Sequence, residues 1–95
     1  MNPIEEEAIK QYEALGYDVI KNGIPDLICV KKGKILFVEC KSKTDTLRRN
    51  QKEAIKILRS KGFIVRIEGE GAERARRDYL NYKYGWIQAM VRMKR

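Results

Sequence analysis

Three side chains of this sequence have the types and the spacing of a hydrolytic metal centre. Glu39 and Lys41 stand two positions apart at the end of the apolar run 35–41, and Asp26 opens the preceding apolar run, 26–30. Residues i and i+2 of a β-strand point to the same face, so Glu39 and Lys41 would share one side of a sheet. Two neighbouring carboxylates repel unless one is protonated or a hard cation lies between them, and oxygen ligands select Mg²⁺ or Mn²⁺. The pattern therefore predicts a divalent ion between Asp26 and Glu39, with the Lys41 amine placed to orient or deprotonate water and to stabilise charge on a phosphate.

The separation of the two acids depends on the hairpin that joins the two runs. A tight turn at Lys32-Gly33 would pair Ile28 with Phe37 and Asp26 with Glu39, which brings the two Cβ atoms to about 5 Å. Lys32 is a poor residue for the usual two-residue turn, and a glycine bulge would move the pairing by one. In either register the two carboxylates end close together.

Apolar residues at helical and strand spacing predict the elements that hold these side chains. We expect a helix over 4–15 ending at Gly16, strands over 17–21, 26–30 and 35–41, a helix carrying Leu47 to Leu58 and closing at Gly62, and a strand over 63–68. This order of helix, three strands, helix and strand predicts an α/β fold with one small mixed sheet flanked by helices. A chain of 95 residues buries a little over ~60% of its unfolded surface, which suits a single domain.

Gln51 is the fourth candidate for the site. It lies on the face of the second predicted helix that carries Ile55 and Leu58, so its amide would point toward the sheet. A buried amide needs hydrogen-bond partners, and site water or the Lys41 amine would supply them.

An ordinary ion pair of Lys41 with Asp26 or Glu39 is the competing interpretation. Nine Glu and twelve Lys in 95 positions give about one Glu-x-Lys spacing by chance, so the pair alone has little weight. The combination of the pair with Asp26 and an inward Gln51 is what favours a site.

Residues 69–95 form an extension of the same domain with a different composition. A turn at 69–71 precedes Ala72, Ala75, Tyr79 and Leu80, whose spacing suggests a helix. An aromatic and basic tail follows, made of Tyr82, Lys83, Tyr84, Trp86, Arg92, Lys94 and Arg95. Such a tail could stack on bases or bind backbone phosphates, and it could equally dock on the core or on a second subunit.

The distribution of charge points to a polyanionic partner. The chain carries 21 Lys and Arg against 13 Asp and Glu, a formal charge of +8, yet residues 1–30 hold six acids against two bases. Residues 41–66 hold nine bases against two acids, and residues 71–95 hold seven against two. Such an excess suits nucleic acid, because each base at a phosphate releases condensed counterions.

Several classes of function are excluded by the residues present. The chain has no histidine, which excludes Ser-His-Asp triads, Cys-His nucleophiles and His-containing zinc sites. Cys29 and Cys40 lie in apolar runs and need no role beyond filling the core. Apolar runs are far shorter than the ~18 residues of a membrane span, and the first residues lack a signal-peptide pattern. We therefore expect an intracellular, cytoplasmic protein without membrane association.

A known family shares these motifs. The run 23–28 (GIPDLI), the run 37–41 (FVECK), then Leu47 with Gln51 and the run 61–63 (KGF) resemble the PD-(D/E)xK nuclease superfamily. The likeness is strongest to its VRR-NUC branch, with the archaeal Holliday-junction resolvases as near relatives, and it covers roughly residues 5–68.

The resemblance implies a restriction-endonuclease-like nuclease core at residues 1–68. In such a core Asp26 and Glu39 would hold the metal, Lys41 would serve catalysis, and Gln51 would support them. It also implies that one glutamate of the N-terminal helix faces the site as a further metal ligand. Counting back from Gly16 gives Glu5, with Glu6 as the runner-up.

Together these features predict a Mg²⁺- or Mn²⁺-dependent DNA endonuclease, selective for DNA structure, that hydrolyses phosphodiester bonds with metal-activated water. One site per small subunit cuts one strand, so we expect a homodimer, and we expect no small-molecule cofactor. A Holliday-junction resolvase, a non-catalytic DNA-binding module of the same fold and an RNA-directed nuclease are the alternatives. The residues expected to bind DNA are Lys43, Arg48, Arg49, Lys52, Arg76, Arg77 and Trp86.

Overall fold

The predicted order of elements is confirmed in the computed structural model, which describes residues 2–93. The elements are α1 (Pro3–Ala14), β1 (Asp18–Lys21), β2 (Leu27–Lys31), β3 (Lys34–Cys40), α2 (Arg49–Ser60), β4 (Ile64–Glu68) and α3 (Ala72–Met93). The α/β class, with a small mixed sheet and a C-terminal helix, is therefore confirmed. Two residues of the predicted basic tail, Lys94 and Arg95, lie outside the described residues, as does Met1.

The sheet has four strands in the order β1-β2-β3-β4, in which β4 runs parallel to β3 and the other neighbours are antiparallel. Ile28 lies opposite Phe37, so the predicted hairpin register is confirmed without a bulge. Gly33 supplies the turn with a φ of 72°, which residues with a side chain rarely adopt. Asp26 stands just before β2 rather than within it, and its carbonyl oxygen accepts a hydrogen bond from the Asn22 N–H at 2.7 Å.

The two faces of the sheet are covered by different helices. Alternate β3 residues, among them Leu36, Val38 and Cys40, pack in a core cluster with α1. Phe37 packs instead with a second cluster formed by α2, β4 and α3. Because side chains alternate along a strand, Glu39 shares the α2 face with Phe37. Cys29 and Cys40 are buried free thiols in the α1 cluster, as predicted.

The extension forms one helix, of which only the first half is docked. Ala75 and Tyr79 are buried against β4 and α2, whereas Leu80 is 61% exposed, although its spacing groups it with them. The helix continues through the predicted tail to Met93. Among residues 2–93, no helix combines the length and the apolar character that crossing a membrane requires.

Candidate active site

Glu39, Lys41 and Gln51 form a buried polar network between the end of β3 and the first turn of α2. The Gln51 amide donates to Glu39 Oε1 at 2.8 Å, and its Oε1 accepts from Lys41 Nζ at 2.9 Å. Lys41 Nζ lies 3.7 Å from Glu39 Oε1. All three residues are at most 7% exposed. The predictions that Gln51 points toward the sheet and meets the Lys41 amine are confirmed.

Asp26 adjoins this network from the position directly before β2. Its Oδ2 accepts a hydrogen bond from the Cys40 N–H at 2.8 Å, which fixes the carboxylate beside the chain segment that carries Glu39. Burial, and then the negative charge of Asp26, raise the pKa of Glu39 to about 7 from the ordinary 4.5, while the Lys41 ammonium opposes the rise. The two acids are thus close enough to interact, as the hairpin register requires.

Glu39 also has an oxygen that the protein leaves without a partner. Within residues 2–93, Glu39 Oε2 is buried and no hydrogen-bond donor reaches it. Buried carboxylate oxygens are normally satisfied, and an oxygen-lined position beside a second acid suits a hard divalent cation. The donor set of Asp26 and Glu39 therefore fits such an ion.

The structure separates the N-terminal glutamates from this pair. Glu5 is half-buried and Glu6 is exposed, and both belong to α1, which covers the other face of the sheet. The pKa of the Cys40 thiol is raised to about 12, first by burial and then by the negative charges of Asp26 and Glu5. Glu5 therefore lies near enough to Cys40 to act on it electrostatically. Across residues 2–93 no group of three or more Asp, Glu, Cys or His side chains is gathered closely enough to hold a metal ion. Glu5 is thus not brought together with Asp26 and Glu39.

Two glycines of the predicted turn at 69–71 lie against the backbone of Lys41 and Ser42. The Lys41 N–H donates to the Glu68 carbonyl at 2.8 Å, and the Gly71 N–H donates to the Lys41 carbonyl at 3.0 Å. A Cβ at Gly69 would collide with the Lys41 carbonyl oxygen, and one at Gly71 with that of Ser42. The Gly-x-Gly pair directly after the last strand was the available signal for this close approach.

The loop between β3 and α2 completes the surroundings of the lysine. Thr46 contributes its carbonyl oxygen, which accepts from Lys41 Nζ at 3.2 Å. The Ser42 N–H donates to Asp45 Oδ2 at 2.9 Å, and this bond lowers the pKa of Asp45. Arg74 Nη2 of α3 donates to the Asp45 carbonyl at 2.8 Å. The loop is therefore tied to α3 while it presents Thr46 to the site.

The residues expected to bind DNA have different surroundings in the structure. Arg49, Lys52 and Trp86 line a groove between α2 and α3. Arg76 Nη2 donates to the Ile67 carbonyl at 2.9 Å and so also ties α3 to β4. The remaining three, Lys43, Arg48 and Arg77, are exposed.

The sheet, the Glu-x-Lys pair at the end of β3 and Asp26 beside it together define a nuclease-type α/β domain. The family model of the VRR-NUC domain matches residues 1–68. The chain therefore belongs to the VRR-NUC family of nucleases. The predicted membership of this branch is confirmed, whereas nearness to the archaeal resolvases stays a prediction. No curated protein matches the chain.

Proposed function

We propose that this chain is a Mg²⁺- or Mn²⁺-dependent, structure-selective DNA endonuclease with Asp26 and Glu39 as metal ligands. The observation that carries the proposal is the state of Glu39: the residue is 1% exposed, and its Oε2 has no partner within residues 2–93. Burying a carboxylate in this way is costly unless a charge compensates it. Lys41 and Gln51 satisfy the other oxygen only.

A bound divalent ion would lower the pKa of a water molecule and polarise the scissile phosphate. Lys41 would add a fixed positive charge beside that phosphate. Its ammonium donates hydrogen bonds to two protein oxygens, Gln51 Oε1 and the Thr46 carbonyl. An ammonium has three N–H donors, so one remains for a phosphate oxygen or for the attacking water. A charge held in this way needs no reorganisation when negative charge grows on the phosphate.

Gln51 acts as a positioning residue in this proposal. It bridges Glu39 and Lys41 and also accepts the Arg48 N–H at 2.9 Å, so it links both groups to the first turn of α2. An amide that holds a ligand carboxylate fixes the orientation of that ligand.

Of the two N-terminal glutamates, we propose Glu5 as the further ligand. Glu5 is half-buried and its charge acts on Cys40, the residue after Glu39, whereas Glu6 is exposed.

Cleavage of supercoiled, flapped and four-way-junction DNA and of matched RNA, each with Mg²⁺, with Mn²⁺ and with EDTA, tests the proposal. We expect Lys41→Ala and Asp26→Asn each to slow cleavage by roughly a hundred- to a thousandfold while both variants still bind DNA in EDTA. Lys34→Ala, at an exposed lysine of β3, is the matched control and should cleave normally.

Each alternative has its own outcome in this panel. Full activity of Lys41→Ala or Asp26→Asn would reject the site. DNA binding that EDTA leaves unchanged, with no cleavage of any substrate in Mn²⁺, would identify a non-catalytic DNA-binding module. Cutting restricted to the four-way junction would identify a junction resolvase, and a preference for matched RNA would identify an RNA-directed nuclease.

We further propose that the protein works as a homodimer joined through the undocked half of α3. Leu80, Tyr84, Ile87 and Val91 are 48–64% exposed and stand at spacings of four, three and four residues, the pattern of a seam between two helices. These residues lie on the side of α3 away from the docked Tyr79, so none of the other described residues, 2–93, covers them.

The oligomeric state is measured by sedimentation. We expect Ile87→Lys to convert a dimer into a monomer, because it places a charge in the centre of the seam. Ile57→Lys is the matched control, since Ile57 on α2 is also exposed, at 55%, but lies outside the seam. A wild-type monomer throughout the working concentration range would contradict the dimer.

A further inference from the structure

A groove between α2 and α3 combines cations with aromatic rings next to the candidate active site. It has a volume of about 650 Å³ and is lined by Arg49, Lys52, Tyr82, Gly85, Trp86 and Ala89. No acidic side chain is among these lining residues. The groove therefore offers positive charge and aromatic surface together.

Lysine side chains of α2 lie over aromatic rings of α3. Lys56 Nζ lies 3.6 Å from the centre of the Trp86 ring, and Lys52 Nζ lies 6.0 Å from that of Tyr82. One face of the Trp86 ring is thus occupied by an ammonium, while the residue as a whole remains 44% exposed. The closer contact, that of Lys56, favours one orientation of the Trp86 ring before anything binds.

Gly85 keeps the floor of the groove open. It lies within α3, where glycine weakens a helix relative to alanine. A Cβ at this position would have no heavy atom within 4 Å, so nothing in the fold of the described residues excludes a side chain. Glycine at this position leaves the neighbouring ring surfaces accessible from the groove.

We infer that this groove binds an unpaired strand of DNA, with a base stacked on Trp86 and the backbone phosphates held by Arg49 and Lys52. Grooves that bind single strands have this combination of cations along the backbone and aromatic rings under the bases. A base inside a duplex is stacked on both of its faces, so it cannot offer a face to Trp86 unless it leaves the helix. The groove therefore selects DNA that carries a single-stranded segment.

The groove and the candidate catalytic centre share the first turn of α2. Arg49 and Lys52 flank Gln51 in the first turn of α2, and Gln51 is hydrogen-bonded to Glu39 and Lys41. A strand that leaves the cleaved bond along α2 would enter the groove directly. The inference rests on the proposed function in this respect: the unpaired strand would be part of the DNA that is cut.

Fluorescence of Trp86, the single tryptophan of the chain, reports on the groove itself. The full chain is titrated in EDTA, which removes cleavage from the measurement, with oligo-dT of about 12 nucleotides, a length within the range of known single-strand sites, and with a duplex of equal length. We expect saturable quenching by the oligo-dT and much weaker quenching by the duplex. Equal quenching by both, or quenching by neither, would overturn the inference.

Gly85 provides a matched pair of variants that do not alter charge. Gly85→Leu should fold at least as well as the wild type, because leucine favours the helix, yet its side chain would occupy the groove. Measured by anisotropy of labelled oligo-dT, its affinity should fall roughly five- to a hundredfold, as for the loss of one stacked base. Gly85→Ala, which strengthens the helix with the smallest side chain, should stay within about twofold.

Undiminished binding of oligo-dT by Gly85→Leu would overturn the inference. The dependence on salt gives a second measurement, since Lys52→Ala should lower the slope of log K against log salt by about 0.7 if it loses one single-strand phosphate. Because all binding is measured in EDTA, single-strand binding without any cleavage would count against the metal site alone. Metal-dependent cleavage without quenching would count against the groove alone.

Discussion

Neighbouring residues of α2 lie in opposite environments. Gln51 is buried and bonded to Glu39 and Lys41, whereas Lys52, the next residue, lines the groove toward Tyr82 and is partly exposed. On the buried side of α2, the charged groups of Glu39 and Lys41 are held by hydrogen bonds inside the protein. On the groove side of α2, the ammonium groups of Lys52 and Lys56 lie over the faces of aromatic rings at the surface.

The buried network and the exposed groove therefore suit different roles. Interactions in the interior are little screened by salt, so the buried network can fix geometry for chemistry. Exposed cations are screened and individually weak, so the groove can contribute affinity that depends on salt. Substitutions in the buried network should therefore alter stability and catalysis together. Substitutions in the groove between α2 and α3 should mainly alter DNA binding.

The largest expected effect on stability comes from the carboxyl group of Glu39. Its pKa is about 7 in the folded chain and near the ordinary 4.5 when unfolded, so the folded state binds more protons between these values. The free energy of unfolding should therefore fall as pH rises through this window, by about 3 kcal/mol in total, and level off above it. Urea denaturation in EDTA from about pH 5 to about pH 8 measures the fall.

Glu39→Gln isolates this contribution, because its amide does not titrate. The difference between wild type and variant should carry the pH dependence, since groups such as Asp45 titrate in both. An equal slope in the two proteins would contradict the assigned pKa shift. Added Mg²⁺ should stabilise the wild type more near pH 8 than near pH 5, because the ion binds the ionised carboxylate.

A smaller loss is expected from Gln51→Ala, the change that tests the inner face of α2. It would leave Glu39 Oε1, Lys41 Nζ and the Arg48 N–H each short of a partner. Unsatisfied buried groups of this kind lower stability by about 1–3 kcal/mol, and loss of a group that orients a ligand slows activity by roughly ten- to a hundredfold.

Lys52→Ala is the comparison for Gln51→Ala. At this partly exposed position the free energy of unfolding should change by at most about 0.5 kcal/mol. Urea denaturation of both variants, together with cleavage rates at saturating DNA, checks the contrast. Equal losses of stability in the two variants would show that the two faces of α2 do not differ in the way described.

Local periodicity explains which parts of the site could be predicted. The period of two residues in a strand puts Glu39 beside Lys41 on one face, and the two-residue turn at Lys32-Gly33 fixes the hairpin register. The helical period likewise directs Gln51 toward the sheet. Each of these depends only on residues close in sequence.

Contacts between distant segments account for what the sequence did not reveal. Gly69 and Gly71 approach the backbone of Lys41 and Ser42 across almost thirty positions of chain, so the Gly-x-Gly pattern signals a close approach but does not identify the segment approached. Gly85 illustrates the opposite case. Glycine ordinarily weakens a helix, yet α3 continues through it, because the docking of the preceding Tyr79 and the contacts of Trp86 outweigh one unfavourable residue.

A small effect is also expected from Lys56→Ala, at a residue of α2 that contacts the Trp86 ring. Removing the ammonium 3.6 Å from the Trp86 ring centre should lower the free energy of unfolding by about 0.5–1 kcal/mol, the value of an exposed cation–π contact. The emission of Trp86 should change as well, because one face of the ring becomes solvated. Lys56→Arg should keep both properties near wild type, since a guanidinium stacks on an indole at least as well as an ammonium. If Lys56→Ala left the emission unchanged, the ring would not be held by this contact, and the groove would lose its fixed stacking surface while the buried network beneath α2 stayed intact.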